Sequence, residues 1–153
     1  MNGKVAVLIG SESDRNIVES SCQYFEYFNI EMDLRVISAH RNPDDLRDFA
    51  SSARENGYHV LIGAAGMAAH LAGALKAHST LPVIGVPLPG GIEDGMDALL
   101  ATVQMPKGVP VATMAVGKAG AINAAILSAE IISLQNELLV KKLTEFKRVG
   151  SKI

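Results

Sequence analysis

Short apolar runs and longer mixed segments alternate along the chain, and this pattern predicts strands that alternate with helices. Five runs rich in β-branched residues predict strands at residues 4–9, 31–37, 59–62, 82–86 and 110–116. The intervening segments predict helices at residues 15–28, 43–56, 97–104 and from 118 onward, and a small-residue helix that follows a turn at 63–66 and ends near 78. We therefore expect an α/β fold with a doubly wound parallel sheet and right-handed crossovers.

Two features between the strands carry strong local signals. Pro43 opens the second helix, with two aspartates in its first turn, and Asn56-Gly57 is typical of a carboxyl-terminal cap. The connection at residues 87–109 is longer than is usual in a compact domain. This length predicts a functional loop or a short helix within it.

The helix predicted at residues 119–134 is apolar on almost every face, with Asn123, Ser128 and Glu130 as its main polar interruptions. A helix without a polar face needs cover on both sides. In a chain this small we expect another subunit to supply the second cover. The alternative is a central core helix within one chain.

Length and composition favour one domain spanning residues 1–153. Hydrophobic residues make up 48% of the chain and aromatic residues only 5%, so aliphatic side chains must build the core. Such side chains suit helices packed closely on a buried parallel sheet. The formal net charge is -2 and no long run of Lys or Arg occurs, so we expect no nucleic-acid partner.

Cellular location is indicated by the cysteine content and by the apolar segments. Cys22 is the only cysteine, which excludes an internal disulfide and favours a reducing cytoplasm. Residues 1–9 lack the succession of basic, apolar and small residues that marks a signal peptide. Apolar stretches end well before membrane-spanning length. We therefore expect a cytoplasmic protein without a membrane partner.

Three loops that follow predicted strands carry the candidate chemistry, since open parallel sheets bind ligands at the carboxyl ends of their strands. The first loop spans residues 10–14. Gly10 permits a tight turn, and Ser11 and Ser13 place hydroxyl groups beside the free amides of a helix start. This arrangement is typical of a phosphate site, in which Asp14 would face sugar hydroxyls. The alternative is ordinary helix capping by Ser13 or Asp14.

The second loop, at residues 38–43, places His40 and Arg41 next to each other at the end of a strand. An arginine can grip a phosphate with paired donors, and a histidine can exchange protons near neutral pH. The alternative is a surface loop with incidental charge. The position of the pair at a strand end favours a functional role.

The third loop, at residues 63–71, consists mainly of Gly and Ala, so a ligand can approach its backbone. His70 follows these small residues; a histidine in this setting is more often a structural hydrogen-bonding group than a catalyst. His59, His70 and His78 lack cysteine partners and suitable spacing. We therefore expect no metal site.

Six motifs in order resemble the N5-carboxyaminoimidazole ribonucleotide mutases, the class I form of the phosphoribosylaminoimidazole carboxylase family. They are GSESD at 10–14, SAHRNP at 38–43, AAGMAAHL at 64–71, LPVIGVP at 81–87, VQMPKGVPV at 103–111 and GKAGAINAA at 117–125. The chain departs from the family pattern in several places. Arg15 replaces an apolar residue, Asn42 a threonine and Met67 a glycine, and residues 88–99 differ as a stretch.

The resemblance implies a three-layer flavodoxin-like fold, a homo-octamer with sites near subunit contacts, and a ribonucleotide substrate of de novo purine synthesis. It also implies that His40 is the catalytic histidine and His70 a second active-site histidine. The substrate-binding positions expected from the loops and the resemblance together are Gly10, Ser11, Ser13, Asp14, Ser38, Ala39, Arg41, Ala65, Gly66 and Leu71.

The family reaction moves a carboxylate from an exocyclic nitrogen to a ring carbon of aminoimidazole ribonucleotide, and it needs no metal, ATP or biotin. Two alternatives remain at this point. One is direct carboxylation by free carbon dioxide, as in the class II relatives, and the other is a non-catalytic nucleotide- or flavin-binding module. The low aromatic content disfavours a stacked flavin, and the adjacent His and Arg exceed what passive binding requires.

Overall fold

Five parallel strands form one sheet in a computed structural model that describes residues 2–153. The strands are β1 (Lys4–Ile9), β2 (Glu31–Val36), β3 (Val60–Ala65), β4 (Val83–Pro87) and β5 (Ala112–Thr113). Their order in the sheet is β2-β1-β3-β4-β5, and every neighbouring pair is parallel. This is the flavodoxin-like strand order, so the predicted doubly wound sheet is confirmed.

Seven helices pack on the two faces of the sheet. They are α1 (Arg15–Val18), α2 (Cys22–Phe28), α3 (Pro43–Ser52), α4 (Leu71–His78), α5 (Met96–Val103), α6 (Lys118–Ser133) and α7 (Glu137–Arg148). Helices α1, α2, α6 and α7 share one hydrophobic core with the sheet, and α3 and α4 share the other. Helix α5 packs beside β4 and β5 at the edge.

Successive residues of β1 supply the two cores in turn, as a strand covered on both faces must. Val5, Val7 and Ile9 face the core of α1, α2, α6 and α7, whereas Ala6 and Leu8 face α3 and α4. All five side chains are at most 2% exposed. The uninterrupted apolar run that predicted this strand therefore reflects double-sided burial.

The boundary between β3 and α4 differs from the prediction, which was wrong here. The strand extends to Ala65 and the helix begins only at Leu71, so Gly63 lies within the sheet. A Cβ atom on Gly63 would lie 2.8 Å from the Ala72 amide nitrogen. The lack of a side chain at Gly63 therefore allows α4 to pack closely on the strand. A prediction from hydrophobic periodicity interprets the same small residues as a turn followed by a helix.

Two predictions in the second half of the chain need correction. The fifth strand has only two residues, Ala112–Thr113, where seven were expected. The long helix expected from residue 118 onward is two helices, because α6 ends at Ser133 and α7 restarts at Glu137. The side chain of Asn136 caps α7 by accepting a hydrogen bond from the Leu139 amide at 3.2 Å.

The cap predicted at Asn56-Gly57 is confirmed, although the regular part of α3 ends earlier, at Ser52. Gly57 has a φ of 78°, in the left-handed region. Its amide donates to the Arg54 carbonyl at 3.1 Å, and the Tyr58 amide donates to the Ala53 carbonyl at 3.2 Å. These two bonds define a Schellman motif, which ends a distorted last turn.

Helix α6 is covered mainly by its own chain, so the alternative of a central core helix is favoured over an exposed apolar helix. It contacts β3, β4, α1, α2 and α7. Exposed apolar side chains occur elsewhere: Leu100 on α5 is 57% exposed, and Leu134 before α7 is 84% exposed. Val36, Met67 and Ile92 are exposed as well, so the apolar surface available to another subunit includes α5 and the region near α7 but is not confined to them.

Within residues 2–153, no helix combines the length and the apolar character that crossing a bilayer requires.

Candidate active site

Among the cavities of the described residues, one of 540 Å³ and one of 590 Å³ lie at opposite ends of the sheet and differ in the chemistry of their lining. A third, of 570 Å³, lies between β2 and α3. The cavity of 590 Å³ lies at the carboxyl ends of β1, β2 and β3, beside the switch point between β1 and β3. Its lining residues are Gly10, Ser11, Ser13, Asp14, Ser38, Ala39, His40, Arg41, Ala65, Gly66, Met67, Ala68, His70, Leu71, Pro89 and Gly90. All twelve residues predicted for the site therefore line one cavity.

The cavity of 540 Å³ lies at the amino-terminal edge, where Tyr58, His59 and Asn136 contribute to its lining. His59 there accepts a hydrogen bond from the Lys4 amide at 3.3 Å, which is a structural role. Ligands of parallel sheets bind at the opposite edge. We therefore take the cavity of 590 Å³ as the candidate active site.

The serine loop after β1 is organised by Ser11. Its hydroxyl accepts hydrogen bonds from the Ser13 amide at 3.4 Å and from the Ser13 hydroxyl at 3.0 Å. Ser11 is thus the cap of the short 3-10 turn Glu12–Asp14, whereas neither Ser13 nor Asp14 caps helix α1 with its side chain. The capping alternative named the wrong residues, and Ser13 and Asp14 remain available to a ligand.

Asp14 sits at the base of this loop, half-buried in the cavity wall. Burial raises the pKa of its carboxyl group, and hydrogen bonds from the Ser13 hydroxyl and from the backbone at Ser11 oppose that shift only in part. A partly desolvated carboxylate accepts hydrogen bonds from a ligand more strongly than one in water does. Asp14 is therefore suited to neutral hydroxyl donors.

The loop after β2 is closed on itself, which fixes the residues that it presents. The buried Ser38 hydroxyl accepts a hydrogen bond from the Arg41 amide at 3.3 Å. The Ser38 amide donates to the Asn42 side-chain oxygen at 3.4 Å, and the Asn42 amide donates to the Ser38 carbonyl at 2.9 Å. The backbone between them, which carries His40, is held from both ends.

Arg41 links the first two loops. One of its guanidinium nitrogens donates to the Gly10 carbonyl at 2.6 Å. This single bond leaves other guanidinium donors unused at the edge of the serine loop. Those donors lie beside the first loop, where they can supply positive charge to a bound phosphate. A local positive group is needed there, because the net charge of the chain is negative.

His40 and His70 form a direct hydrogen bond across the cavity. His40 Nε2 and His70 Nδ1 are 2.7 Å apart, and the ring centroids are 4.8 Å apart with the planes at 76°. One nitrogen must donate and the other accept, so the two rings cannot both be fully protonated in this pair. His40 Nδ1 and His70 Nε2 are the outer ends of a two-ring path for a proton.

The third loop reaches the cavity as a small-residue wall. The Ala65 carbonyl accepts a hydrogen bond from the Leu88 amide at 2.9 Å, and a Cβ atom on Gly66 would lie 3.5 Å from the Leu88 carbonyl. Met67 keeps a left-handed φ of 52° although it has a side chain. The backbone at Met67 thus has the left-handed conformation that glycine favours.

The sequence motifs do not predict Pro89 and Gly90, which complete the lining beside Gly66. The signal that identifies them is their position directly after β4, at the same edge of the sheet as the other three loops. Among residues 2–153, no three His, Cys, Asp or Glu side chains lie close enough together to hold a metal ion. The cavity presents the paired histidines, the serine hydroxyls, the Asp14 carboxylate and the Arg41 guanidinium.

A sequence comparison identifies the family to which this arrangement belongs. The family model described as AIR carboxylase matches residues 4–152. The chain belongs to the AIR carboxylase family. An AIR carboxylase relative from Escherichia coli (strain K12), named N5-carboxyaminoimidazole ribonucleotide mutase, is 45% identical over 95% of this chain and 86% of its own length. A relative of the same name from Bacillus subtilis (strain 168) is 48% identical over 95% of this chain and 90% of its own.

The fold of this chain also matches a solved structure, that of Treponema denticola PurE. The TM-score is 0.87, with 97% of this chain and 91% of the other covered. At 24% sequence identity, this match shows that the two proteins share a fold.

Proposed function

We propose that this chain is a mutase that converts N5-carboxyaminoimidazole ribonucleotide to 4-carboxy-5-aminoimidazole ribonucleotide in de novo purine biosynthesis. The observation that carries the proposal is the His40–His70 hydrogen bond of 2.7 Å inside a cavity that Arg41 and the serine loop also line. Relatives with the mutase name, at 43–48% identity over at least 94% of this chain, support the same activity.

The nucleotide is oriented by the first two loops. Ser11, Ser13 and the free donors of Arg41 hold the phosphate, since these groups surround the carboxyl end of β1. Asp14 accepts hydrogen bonds from the ribose hydroxyls, because a carboxylate would repel the phosphate itself. This orientation directs the imidazole ring toward His40. A ligand fixed in this way reacts with the catalytic group in an effectively unimolecular step, because binding has already brought the two together.

The reaction moves one carboxyl group. The bond between the exocyclic nitrogen and the carboxyl carbon breaks and releases carbon dioxide, while the nitrogen gains a proton. The ring carbon then attacks carbon dioxide, and the new carbon–carbon bond is completed when that ring carbon loses its proton. No net proton is taken up or released, so a single acid–base group can serve both steps.

His40 is the group that we assign to the proton transfers. In its protonated form it donates to the exocyclic nitrogen, and in its neutral form it accepts the proton from the ring carbon. His70, hydrogen-bonded to it at 2.7 Å, orients the ring and provides a second position for the proton. We assign the confinement of carbon dioxide between the two steps to the small-residue wall of Ala64 to Ala69, part of which lines the cavity.

The two alternatives predict different activities for the same cavity. A class II enzyme would carboxylate aminoimidazole ribonucleotide with free carbon dioxide, and a binding module would catalyse neither reaction. The adjacent His40 and Arg41 and the second histidine at hydrogen-bond distance favour a catalyst over a binding module. The mutase name of the relatives favours the carboxylated nucleotide as substrate.

Supplying the two nucleotides separately to the purified protein tests the proposed reaction. We expect rapid product formation from the N-carboxylated nucleotide when bicarbonate is scavenged, because the carboxyl group comes from the substrate. Aminoimidazole ribonucleotide with excess bicarbonate should react far more slowly. Efficient turnover only under the second condition would assign the class II reaction, and turnover under neither would leave the binding module.

We propose in addition that residues 1–153 act as one domain and assemble into a homo-octamer in the cytoplasm. The apolar side chains exposed on α5 and near α7, such as Leu100 and Leu134, support burial against other copies. Light scattering should give a mass about eight times that of the 16.2 kDa chain. A monodisperse monomer at micromolar concentration would contradict this prediction.

A further inference from the structure

A pair of opposite charges is built into the serine loop after β1. Glu12 lies between Ser11 and Ser13, the two serines that we assign to the phosphate. Arg15 follows three residues after Glu12. The Arg15 Nε donates a hydrogen bond to one oxygen of the Glu12 carboxylate, and Nη2 donates to the other oxygen at 3.1 Å. The guanidinium thus holds the carboxylate with two donors, which is a strong geometry for such a pair.

The position of Glu12 is unfavourable for a phosphate site. Neighbouring Cα atoms are about 3.8 Å apart, so the Glu12 side chain begins beside both serines. The hydrogen bond from Arg15 lowers the pKa of the Glu12 carboxyl group, which is therefore ionised at neutral pH. A phosphate group carries about −1.5 to −2 charge at that pH, and exposed charges act on one another over about 8 Å at physiological salt. An unpaired Glu12 would therefore repel the ligand.

Arg15 is placed to offset this charge and not to bind the ligand itself. Neither Arg15 nor Glu12 lines the cavity. The third guanidinium nitrogen of Arg15, Nη1, lies 3.6 Å from the Glu19 carboxylate, so it also faces a negative group. The Glu12 side chain is 65% exposed, and exposed ion pairs of this kind contribute little to the free energy of unfolding. The effect of the pair is therefore on local charge.

We propose that Arg15 offsets the charge of Glu12 and thereby sets the affinity of the serine loop for the phosphate of the nucleotide. The proposal rests on the proposed function, because it requires a phosphorylated ligand at this loop. Arg15 is a positioning residue that acts through Glu12 and touches neither the ligand nor the reacting bonds. The need for it arises from Glu12 and not from the reaction. A chain without this carboxylate can therefore carry the apolar residue of the family pattern at position 15.

Calorimetric titration of the reaction product into four proteins at low ionic strength tests the proposal. The proteins are the unchanged chain, Arg15→Met, Glu12→Gln and the double variant. We expect Arg15→Met to raise Kd about three- to tenfold, the size of one uncompensated charge near a phosphate. Glu12→Gln should bind at least as tightly as the unchanged protein. The double variant should bind within about twofold of it, because both charges are gone.

Three further readouts separate a charge effect from a structural one. The rise in Kd of Arg15→Met over the unchanged protein should shrink at high salt, since salt screens charges and does not repair a misplaced loop. Arg15→Lys should restore most of the affinity. Assays with the N-carboxylated nucleotide should show the loss in KM with kcat unchanged. Arg148→Met is the matched control, because Arg148 pairs with Glu145 at the same spacing and does not line the cavity.

Normal binding by Arg15→Met at low ionic strength would overturn the proposal. A double variant as weak as Arg15→Met would also overturn it, because the affinity would then depend on Arg15 independently of Glu12. A loss of affinity in Glu12→Gln or a loss in Arg15→Met that salt leaves unchanged would do the same. Absence of both nucleotide binding and conversion by the unchanged protein would instead contradict the proposed function itself.

Discussion

Replacing His40 with asparagine is expected to lower kcat by roughly a hundred- to ten-thousandfold, the usual size of lost general acid–base catalysis. Asparagine keeps the polarity and approximate size of the side chain but cannot exchange a proton. It also removes the hydrogen bond at 2.7 Å to His70, so the proton path through the two rings is lost. Steady-state assays with the N-carboxylated nucleotide measure the effect.

Nucleotide binding should survive this substitution, because the phosphate and ribose contacts are assigned to Ser11, Ser13, Asp14 and Arg41 and not to His40. Titration calorimetry with the reaction product is expected to give a Kd close to that of the unchanged protein. His78→Asn is the matched control, since His78 ends α4 and does not line the cavity. If His40→Asn keeps more than about a tenth of the activity, His40 is not the proton carrier.

The substitution Arg41→Ala is expected to weaken nucleotide binding by about ten- to a hundredfold. A hydrogen bond that involves a charged group contributes roughly 1.5–3 kcal/mol, which corresponds to that range of Kd. The loss should appear mainly in KM, because Arg41 holds the phosphate and does not touch the reacting bonds. Fluorescence or calorimetric titration, together with kcat and KM, distinguishes the two effects.

Two further variants make the Arg41 experiment specific. Arg41→Lys keeps the positive charge but loses the planar fork, so its affinity should fall between those of the other two proteins. Arg47→Ala removes a nearby arginine that pairs with Asp44 and Asp48 and does not line the cavity. We expect no change in the Arg47 variant. An Arg41→Ala protein that binds normally would exclude Arg41 from the phosphate site.

Much of this site is predictable because one rule places it. The carboxyl ends of parallel strands meet at one edge, so the loops that contain Ser11, Arg41 and Gly66 were expected to lie together, and they do. The order of the sheet follows from the family resemblance. The contact between His40 and His70 was not predictable, because it joins residues thirty positions apart through the relative placement of two loops.

Other errors have a shared cause, which is that tertiary packing decides what a local pattern means. Gly63 was interpreted as part of a turn, although it is a strand residue that lets α4 approach the sheet. The apolar pattern of α6 does not tell cover by another subunit from cover within the chain, and in the structure α7 and α2 pack against this helix. Methionine itself rarely occupies the left-handed region, so only the glycine that the family pattern has at position 67 indicates the backbone conformation of Met67.

The cavity lining has an uneven distribution along the chain. Every lining residue lies between positions 10 and 90, whereas α5, α6 and α7 all follow position 95. Within one chain, the first part holds the ligand and the last third supplies core packing and exposed apolar surface. Mutations after position 95 can therefore change core packing and exposed apolar surface while every residue that lines the cavity stays unchanged.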